Sequence, residues 1–188
     1  YPVAVVAVGS EVRVIELFKA FVDIALWRKG PQHLPSSLLL LLIVVLLDGV
    51  LTLTFARELR PGDAHLPLRT LLEVGLSLGW IWLLLALFRR PERFVQTAIA
   101  IFGISVLLTP VTYGMQAVLE DVDKNSMLLL PMRLALLTVL VWYLLINANI
   151  VRAALEVNLF VAVLLTLLGT GCVYVVAARV LAVVTQAA

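Results

Sequence analysis

Apolar stretches long enough to cross a lipid bilayer occupy most of this chain, and they constrain its fold more than any motif does. The clearest stretch runs from Ser36 to Ala56 and is interrupted by a single acid, Asp48. It meets the requirement of about 20 apolar residues for a helix that spans a hydrocarbon core about 30 Å thick. The other candidate spans are Leu66 to Phe88, Phe94 to Leu119, Met127 to Ile150 and Leu155 to Val184.

Composition and loop length favour one compact bundle of helices. Hydrophobic residues make up 63% of the chain and charged residues 14%, which is typical of a helical membrane protein. The connections between the spans are short, so we expect consecutive helices to be antiparallel. The predicted loops are Arg57 to His65, Arg89 to Arg93, Glu120 to Ser126 and Val151 to Ala154. The sequence therefore predicts an all-α integral membrane bundle of five transmembrane helices over residues 31–188.

The segment before the spans has two parts. Residues 1–10 (YPVAVVAVGS) lack the basic region and the long apolar core of a secretory signal, and we expect them to be a disordered or non-native lead. Residues 11–30 are predicted to form an amphipathic interfacial helix, because Glu16, Lys19 and Asp23 recur among apolar residues at helical spacing. Such a helix serves either as an anchor in the membrane interface or as a docking surface for a partner, and the anchor is the commoner case.

Basic residues cluster after this helix and in the second loop. An aromatic ring beside cations suits the headgroup layer, where the cations meet anionic lipid. The candidates for contact with lipid or a partner are Trp27, Arg28, Lys29, Arg89, Arg90 and Arg93. A cytoplasmic amino terminus would place eight of the 14 Lys and Arg residues on the cytoplasmic side, as the positive-inside rule favours. We therefore predict a cytoplasmic amino terminus and an external carboxyl terminus.

Of the charged residues inside the predicted spans, four form a predicted intramembrane charge cluster and, with that orientation, share the outer half of the bilayer. They are Asp48, Glu73, Arg133 and Arg179. An isolated charge within the hydrocarbon core costs several kcal/mol and is normally paired or wetted. We therefore expect Asp48 or Glu73 to meet Arg133 or Arg179 in an ionic clasp between helices. The alternative is a polar pathway or proton relay through Asp48, and either arginine could also extend outward to the interface.

Span two contains a Gly-x-Ser-x-Gly sequence that has two readings. As a small-xxx-small pattern, Gly75, Ser77 and Gly79 allow another helix to approach closely. As a nucleophile elbow, Ser77 would need a strand, a strained turn and a helix around it, but the residues lie in a continuous apolar stretch. Helix packing is the favoured interpretation, and we predict no catalytic residues and no enzymatic activity.

Pro110 lies inside span three and removes one backbone hydrogen-bond donor, which predicts a kink in that helix. A kink of this kind is either a gate or, more often, a fixed bend whose freed carbonyls find neighbouring donors such as Thr109 and Thr112.

Nothing in the sequence indicates a metal, a cofactor or a nucleic acid. His33 and His65 have no second His or Cys nearby at the spacing of metal ligands. Cys172 is the only cysteine and lies inside the last span, where it is expected to pack as a small residue. The net charge of +2 is dispersed among the loops and forms no basic stripe that would suit nucleic acid.

The middle of the chain carries a family resemblance. Residues 89–110 (RRPERFVQTAIAIFGISVLLTP) join a short basic turn to Phe-x-Gln-Thr, then a glycine and a proline. The residues concerned are Phe94, Gln96, Thr97, Gly103 and Pro110. Further on, Trp142 in span four precedes Arg152 and Ala154 near the start of span five. In these features the chain, from about Phe18 to Leu181, resembles the Yip domain family of five-span membrane proteins that interact with Ypt and Rab GTPases. The Gly-Gly usual before that family's third span is absent.

This resemblance implies a cytoplasmic amino terminus, an external carboxyl terminus and a role in organising membranes through protein partners. Because the long cytoplasmic extension of the eukaryotic members is missing, it points to a bacterial member in the inner membrane.

Two functions follow from the sequence. The first is a non-enzymatic scaffold, assembly factor or accessory subunit of a membrane complex, whose partners are membrane lipid and other membrane proteins or a second copy of itself. The alternative is a small transporter or channel with a polar route near Asp48, Pro110 and Arg133.

Overall fold

The structure, a computed structural model, describes residues 16–28, 30–122 and 126–187, and these form helices and no strand. Five of the helices are long and apolar enough to cross a membrane, which confirms the predicted all-α membrane bundle. The helices are α1 (residues 16–25), α2 (Leu38–Leu59), α3 (Leu66–Leu87), α4 (Phe94–Asp121), α5 (Leu129–Leu155) and α6 (Leu159–Ala187). Short 3-10 turns at Pro31–His33 and Pro91–Arg93 precede α2 and α4. The predicted lead, residues 1–10, lies outside the described residues.

The outward surfaces of the long helices are apolar, as a lipid environment requires. Large side chains such as Leu38, Leu87 and Phe160 are about as exposed as they could be on a helix, with relative exposures of 71%, 72% and 72%. Exposed apolar surface of this extent is rare on a soluble monomer. It is the ordinary state of helices whose outer faces contact lipid tails. The protein is therefore an integral membrane protein.

The boundaries of α5 and α6 differ from the prediction. Val151 to Ala154 was expected to be a loop, but this is wrong because α5 continues as a helix to Leu155. The turn lies later, where Glu156 adopts a left-handed conformation (φ 57°) at the end of α5. The side chain of Asn158 then accepts a hydrogen bond from the backbone N–H of Val161 (2.8 Å). An Asn in this position caps the first turn of a helix, so α6 begins directly after it.

Four of the long helices enclose a central space. In the described chain α3 contacts α4, α4 contacts α5, α5 contacts α6, and α6 contacts α3 again. Helix α2 lies outside this ring and packs most extensively on α4, with a second contact on α3. Helices α3 and α4 each contact three other spanning helices, but α4 is the most buried of the five, with many buried residues from Thr97 to Thr109, so α4 is the central helix of the bundle.

The tightly packed core lies in one half of the bundle. At this end, which we call the closed end, the turn of residues 88–93 meets the turn of residues 156–158. Near it, Ile99, Ile104, Ile146 and Ile150 are almost fully buried. The buried residues of α5 all lie between Ile146 and Leu155, and its earlier residues are exposed or half-buried. The opposite half, which we call the open end, includes the loop between α2 and α3 and is packed less densely.

Helix α1 packs against the bundle through one face. Phe21, Ile24 and Ala25 are buried, and the ring of Phe21 lies where a Cβ atom at Gly103 of α4 would be. Glycine is therefore required at Gly103 for this close approach. The remaining apolar edge of α1, which includes Phe18, is exposed at the closed end. Helix α1 thus packs on the protein through one face and exposes an apolar edge. Its place in the membrane interface stays a prediction.

Helix α4 runs through Pro110 without interruption. The hydroxyl group of Thr112 donates hydrogen bonds to the carbonyl oxygens of Leu108 and Thr109, each 3.1 Å long. Neither of these oxygens is the one that Pro110 leaves without a donor, because the N–H of residue 110 in an α-helix would bond the carbonyl oxygen of Val106. The kink at Pro110 itself stays a prediction.

Candidate functional site

Asp48 is a buried carboxylate at the middle of α2. Its exposure is 6%, and one of its carboxyl oxygens has no hydrogen-bond partner among the described residues. The hydroxyl group of Ser105 on α4 lies beside it. Asp48 and Val44 are one turn apart on α2, so they lie on the same face of the helix. They are its two buried residues, and the rest of the helix is exposed or half-buried.

A small polar cavity of about 190 Å³ adjoins Asp48. Helices α2, α3, α4 and α5 all contribute to its wall. The polar residues in the wall are Asp48, Thr52, Thr70, Glu73, Ser77, Ser105 and Tyr143. Tyr143 also lies close to Ser105 and Asn147, so its ring stands between this cavity and the space inside the helix ring. The arrangement concentrates hydroxyl and carboxyl groups at a depth where lipid-facing residues are apolar.

A second, larger cavity of about 460 Å³ extends from this polar group towards the open end. The two cavities share the wall residues Thr52, Thr70, Glu73, Ser105 and Tyr143. The second one continues to Arg60, at the end of α2, and to Glu120, at the end of α4. Polar wall residues therefore follow one another from the open end of the bundle to Asp48.

Glu73 has a different partner from the arginines that the sequence predicted. Its carboxylate accepts a hydrogen bond from the Nε of Arg69, one turn earlier on α3, at 2.8 Å. The Arg69 guanidinium also lies 5.5 Å from the ring centre of Tyr174 on α6. Arg133 and Arg179 are exposed, and neither forms an ion pair within the described part of the chain. The expected clasp between Asp48 or Glu73 and these two arginines is therefore not formed, because both arginines lie on outward faces.

The helix ring of α3 to α6 encloses a third cavity of about 520 Å³ with mostly apolar walls. Two buried polar atoms in its wall residues have no hydrogen-bond partner among the described residues, the Oδ1 of Asn147 and the Nε1 of Trp80. The Trp80 indole packs directly on Gly169 of α6. Glu73 and Tyr143 line this cavity as well as both polar ones.

At the closed end, two of the arginines predicted to contact lipid instead form an ionic clamp, which we define as Arg90, Arg93 and Glu156. Arg90 donates to Glu156 at 2.6 Å, and Arg93 donates to the same carboxylate at 2.7 Å. Arg93 also donates to the carbonyl oxygen of Ala154 at the end of α5 (3.1 Å), where a cation complements the helix dipole. The guanidinium groups of Arg90 and Arg93 hold the pKa of Glu156 below its usual value. The clamp ties the α3–α4 turn to the α5–α6 turn.

Of the remaining candidates for contact with lipid or a partner, the structure describes three. Trp27, Arg28 and Arg89 are exposed at the closed end, as expected for residues that reach a headgroup layer. Lys29 lies outside the described residues. Arg152, on the last turn of α5, is exposed at the same end.

The small residues of α3 also differ in their surroundings. Gly75 and Gly79 face outward, and a Cβ atom added at either would meet no atom within 4 Å. Ser77 faces inward and lines the cavity beside Asp48. Within the described chain the close approach of α3 to α6 uses Gly169 beneath Trp80 instead. Gly75 and Gly79 therefore make no close contact with any other helix that the structure describes.

Among the described residues, the cavity wall that contains Ser77 also holds the carboxyl groups of Asp48 and Glu73, but no histidine. His65 is an exposed loop residue at the open end, before α3 begins. Among the described residues there is no group of three or more His, Cys, Asp or Glu side chains that could hold a metal ion.

Four residues were not singled out from the sequence, namely Ser105, Tyr143 and Asn147 of the cavities and Glu156 of the ionic clamp. Tyr143 and Asn147 lie four positions apart in span four, a spacing that places two polar groups on one helix face. That spacing was the available signal. Glu156 was placed at the start of span five, and only the later start of α6 at Leu159 reveals it as a turn residue.

Comparisons of the chain with protein-family models, with characterised proteins and with solved structures find no match. The resemblance to the Yip domain family thus stays a prediction.

Proposed function

We propose that this protein is a small membrane transporter or channel for protons or small cations, and that Asp48 binds the transported ion. The observation that carries the proposal is the buried Asp48 carboxylate with an unpartnered oxygen in the wall of a polar cavity. A carboxylate within a bilayer is costly unless its charge is balanced. No arginine or lysine balances it among the described residues, so a bound proton or a small cation is the remaining means.

Access from one side supports the same proposal. The cavity of about 460 Å³ leads from the open end to the polar group around Asp48, whereas the cavities that reach the closed end, beside Ala154, do not have Asp48 in their walls. The route differs from the one expected from sequence, because neither Pro110 nor Arg133 belongs to the wall of the cavities described above. Tyr143 and Ser105 take their place beside Asp48.

The proposal is tested with purified protein in liposomes that contain a pH-sensitive dye, under a potassium diffusion potential set with valinomycin. Uptake of ⁸⁶Rb⁺ is measured in parallel to detect cations other than protons. We expect wild-type protein to carry one of these fluxes above that of empty liposomes. Asp48→Asn keeps the side-chain shape but removes the charge, and we expect it to lower the flux at least tenfold.

Glu58→Gln is the matched control, because Glu58 is an exposed acid at the open end of the same helix. We expect it to keep the wild-type flux. Circular dichroism and the elution volume of each variant establish that it is folded before the flux is compared. Equal flux in folded Asp48→Asn protein, or no flux above empty liposomes with wild type, would rule the proposal out.

The second candidate function is that of a scaffold, assembly factor or accessory subunit, and the outward face of α3 favours it. Gly75 and Gly79 leave open space there, beside the exposed Leu71 and Trp82. Small residues on a lipid-facing surface allow a helix of another membrane protein, or of a second copy, to approach closely.

Mass spectrometry of the proteins that copurify in mild detergent tests this second candidate. We expect one defined complex, which is lost when Gly75→Leu and Gly79→Leu are combined. Gly171→Leu on α6 is the control, since Gly171 is likewise exposed with no atom within 4 Å of an added Cβ. Purification of the wild-type protein without any partner would argue against the scaffold.

For the orientation, we propose that the closed end faces the cytoplasm and that the membrane is a bacterial inner membrane. The exposed Arg28, Arg89 and Arg152 at the closed end support this through the positive-inside rule. The test uses single cysteines in a Cys172→Ser background. A membrane-impermeant maleimide should label Asp63→Cys in intact cells, and Glu92→Cys only after permeabilisation. The reverse pattern would place the open end inside.

A further inference from the structure

We infer that Glu73 is a second ion-binding residue of the transport site, and that a single proton or small cation passes between the carboxylates of Glu73 and Asp48. The inference rests on the proposed transport function, in which Asp48 alone binds the ion. It adds the step that joins Asp48 to the open end.

Glu73 lies where the cavities meet. The cavity of about 460 Å³ and the cavity of about 190 Å³ share five described wall residues, of which Glu73 is the one carboxylate. The others carry hydroxyl groups and are Thr52, Thr70, Ser105 and Tyr143. The Glu73 side chain keeps a relative exposure of 33%, whereas Asp48 is absent from the wall of the larger cavity. An ion that enters from the open end therefore meets the Glu73 carboxylate before it reaches Asp48.

The charges in the cavity walls leave a place for one cation. Within the described chain, the walls of the three cavities that Glu73 lines hold three acids and two arginines, namely Asp48, Glu73, Glu120, Arg60 and Arg69. The acids thus exceed the arginines by one negative charge. Three tyrosines complete the titratable groups of these walls and are uncharged at neutral pH, namely Tyr113, Tyr143 and Tyr174.

The excess negative charge lies between Asp48 and Glu73. Both carboxylates line the cavity of about 190 Å³, and no arginine or lysine belongs to its described wall. Two like charges in one small cavity repel each other, and the low polarity of the surrounding bilayer strengthens that repulsion. A single proton or small cation held by the two carboxylates removes it, so one ion can be exchanged between Glu73 and Asp48.

Arg69 can give up Glu73 to an ion without losing every partner. Its Nε donates to the Glu73 carboxylate at 2.8 Å, and its guanidinium lies 5.5 Å from the ring centre of Tyr174 on α6. When an ion binds Glu73, the face of the Tyr174 ring still attracts the guanidinium. The pair of Arg69 and Glu73 joins two turns of the same helix, so it holds no second helix in place. Arg69 therefore acts as a positioning residue that competes with the ion for Glu73.

The liposome assay described above tests the inference when the flux is measured over a range of pH and of Rb⁺ concentration. Glu73→Gln keeps the side-chain shape but removes the charge, and we expect it to lower the flux about tenfold, as the loss of one charged ligand predicts. Glu73→Asp keeps the charge and should retain part of the flux. Arg69→Gln removes the competing cation, so half-maximal flux should be reached at about a tenfold lower concentration of the ion.

A structural ion pair predicts a different result, because Glu73→Gln and Arg69→Gln break the same pair and would then change the flux alike. That outcome would overturn the inference. So would wild-type flux in folded Glu73→Gln protein, or equal flux in the Glu73→Asp and Glu73→Gln proteins. If Glu73→Gln does not fold, the half-maximal concentration in Arg69→Gln still decides, since an unchanged value means that Arg69 does not compete with the ion.

The same assay separates this inference from the proposed function. Glu58→Gln is again the control, because Glu58 is an exposed acid outside the walls of these cavities. Loss of flux in Asp48→Asn protein together with wild-type flux in Glu73→Gln protein would refute the role of Glu73 alone. Wild-type flux in folded Asp48→Asn protein, or no flux with the wild type, would refute both.

Discussion

Phe21→Ala is the substitution that most directly tests how α1 is held. Phe21 has 7% exposure and its ring occupies the space that the missing side chain of Gly103 leaves on α4. The other buried residues of α1 are Ile24 and Ala25, so the ring is the largest apolar group that joins the helix to the bundle. Truncating it leaves a void above Gly103 that the backbone of α4 cannot fill.

The expected magnitude follows from the surroundings of the ring. In a water-soluble core, a change from Phe to Ala costs about 3–5 kcal/mol, which includes the transfer of the ring from water. An undocked α1 would place its apolar edge in the membrane interface instead, so the transfer part largely disappears and the lost packing contacts remain. We therefore expect the docking free energy of α1 to fall by about 1–2 kcal/mol, which is roughly a tenfold change in the docking equilibrium.

Hydrogen–deuterium exchange of the protein in lipid nanodiscs measures this change. The amides of residues 16–25 should exchange roughly ten times faster in Phe21→Ala protein, while those of α4 keep their wild-type rates. Phe18→Ala is the matched control, because Phe18 is on the same helix and is 56% exposed. It should leave the exchange of α1 nearly unchanged. Equal exchange of α1 in the wild-type and Phe21→Ala proteins would show that the ring does not hold the helix.

Two further predictions concern the closed end and the glycines. Arg90 and Arg93 lower the pKa of Glu156 in the folded protein relative to its value of about 4.3 in the unfolded chain. The clamp therefore stabilises the fold fully at a pH above the unfolded pKa, and this stabilisation is lost as the pH falls through the folded pKa. The difference in melting temperature between wild-type and Glu156→Gln proteins should therefore be present at neutral pH and vanish in acid; a constant difference would contradict the clamp. Gly169→Leu should lower the stability measured by thermal unfolding in detergent by about 1–3 kcal/mol because it displaces the indole of Trp80, whereas Gly75→Leu should change it by less than about 0.5 kcal/mol. Equal effects of the two leucines would contradict the packing described for α3 and α6.

Where the helices begin and end was predictable only in part. The start of α2 at Leu38 lies two residues from the predicted Ser36, since Ser37 caps the helix by accepting from the backbone N–H of Leu40. The junction of α5 and α6 was wrong because apolar residues continue across it. Hydropathy cannot distinguish a turn of Glu156 to Asn158 from a helix when the residues on both sides are equally apolar.

The partners of the charged residues were the hardest to predict. Position along the chain gives the depth of a charge in the membrane, and depth alone allowed Glu73 to meet Arg133 or Arg179. Which way each side chain points around its helix axis depends on how that helix is rotated in the bundle, and the two arginines are on outward faces. Glu73 pairs with Arg69 because residues one turn apart on a helix are neighbours whatever the rotation.

The amino-acid sequence by itself determined that this protein is a bundle of five membrane-spanning helices with an amphipathic helix before them, because a lipid environment requires long apolar segments whose backbone groups are bonded within each helix. It also placed an acid at the middle of α2. Only the tertiary structure decided that Asp48 lines a polar cavity with no described Lys or Arg paired to it, that Gly75 and Gly79 face outward, and that Glu156 joins two turns. The reason is physical: apolar residues surround most of the circumference of each helix, so hydropathy leaves the rotation of a helix undetermined, and the packing of a few small and aromatic residues selects it.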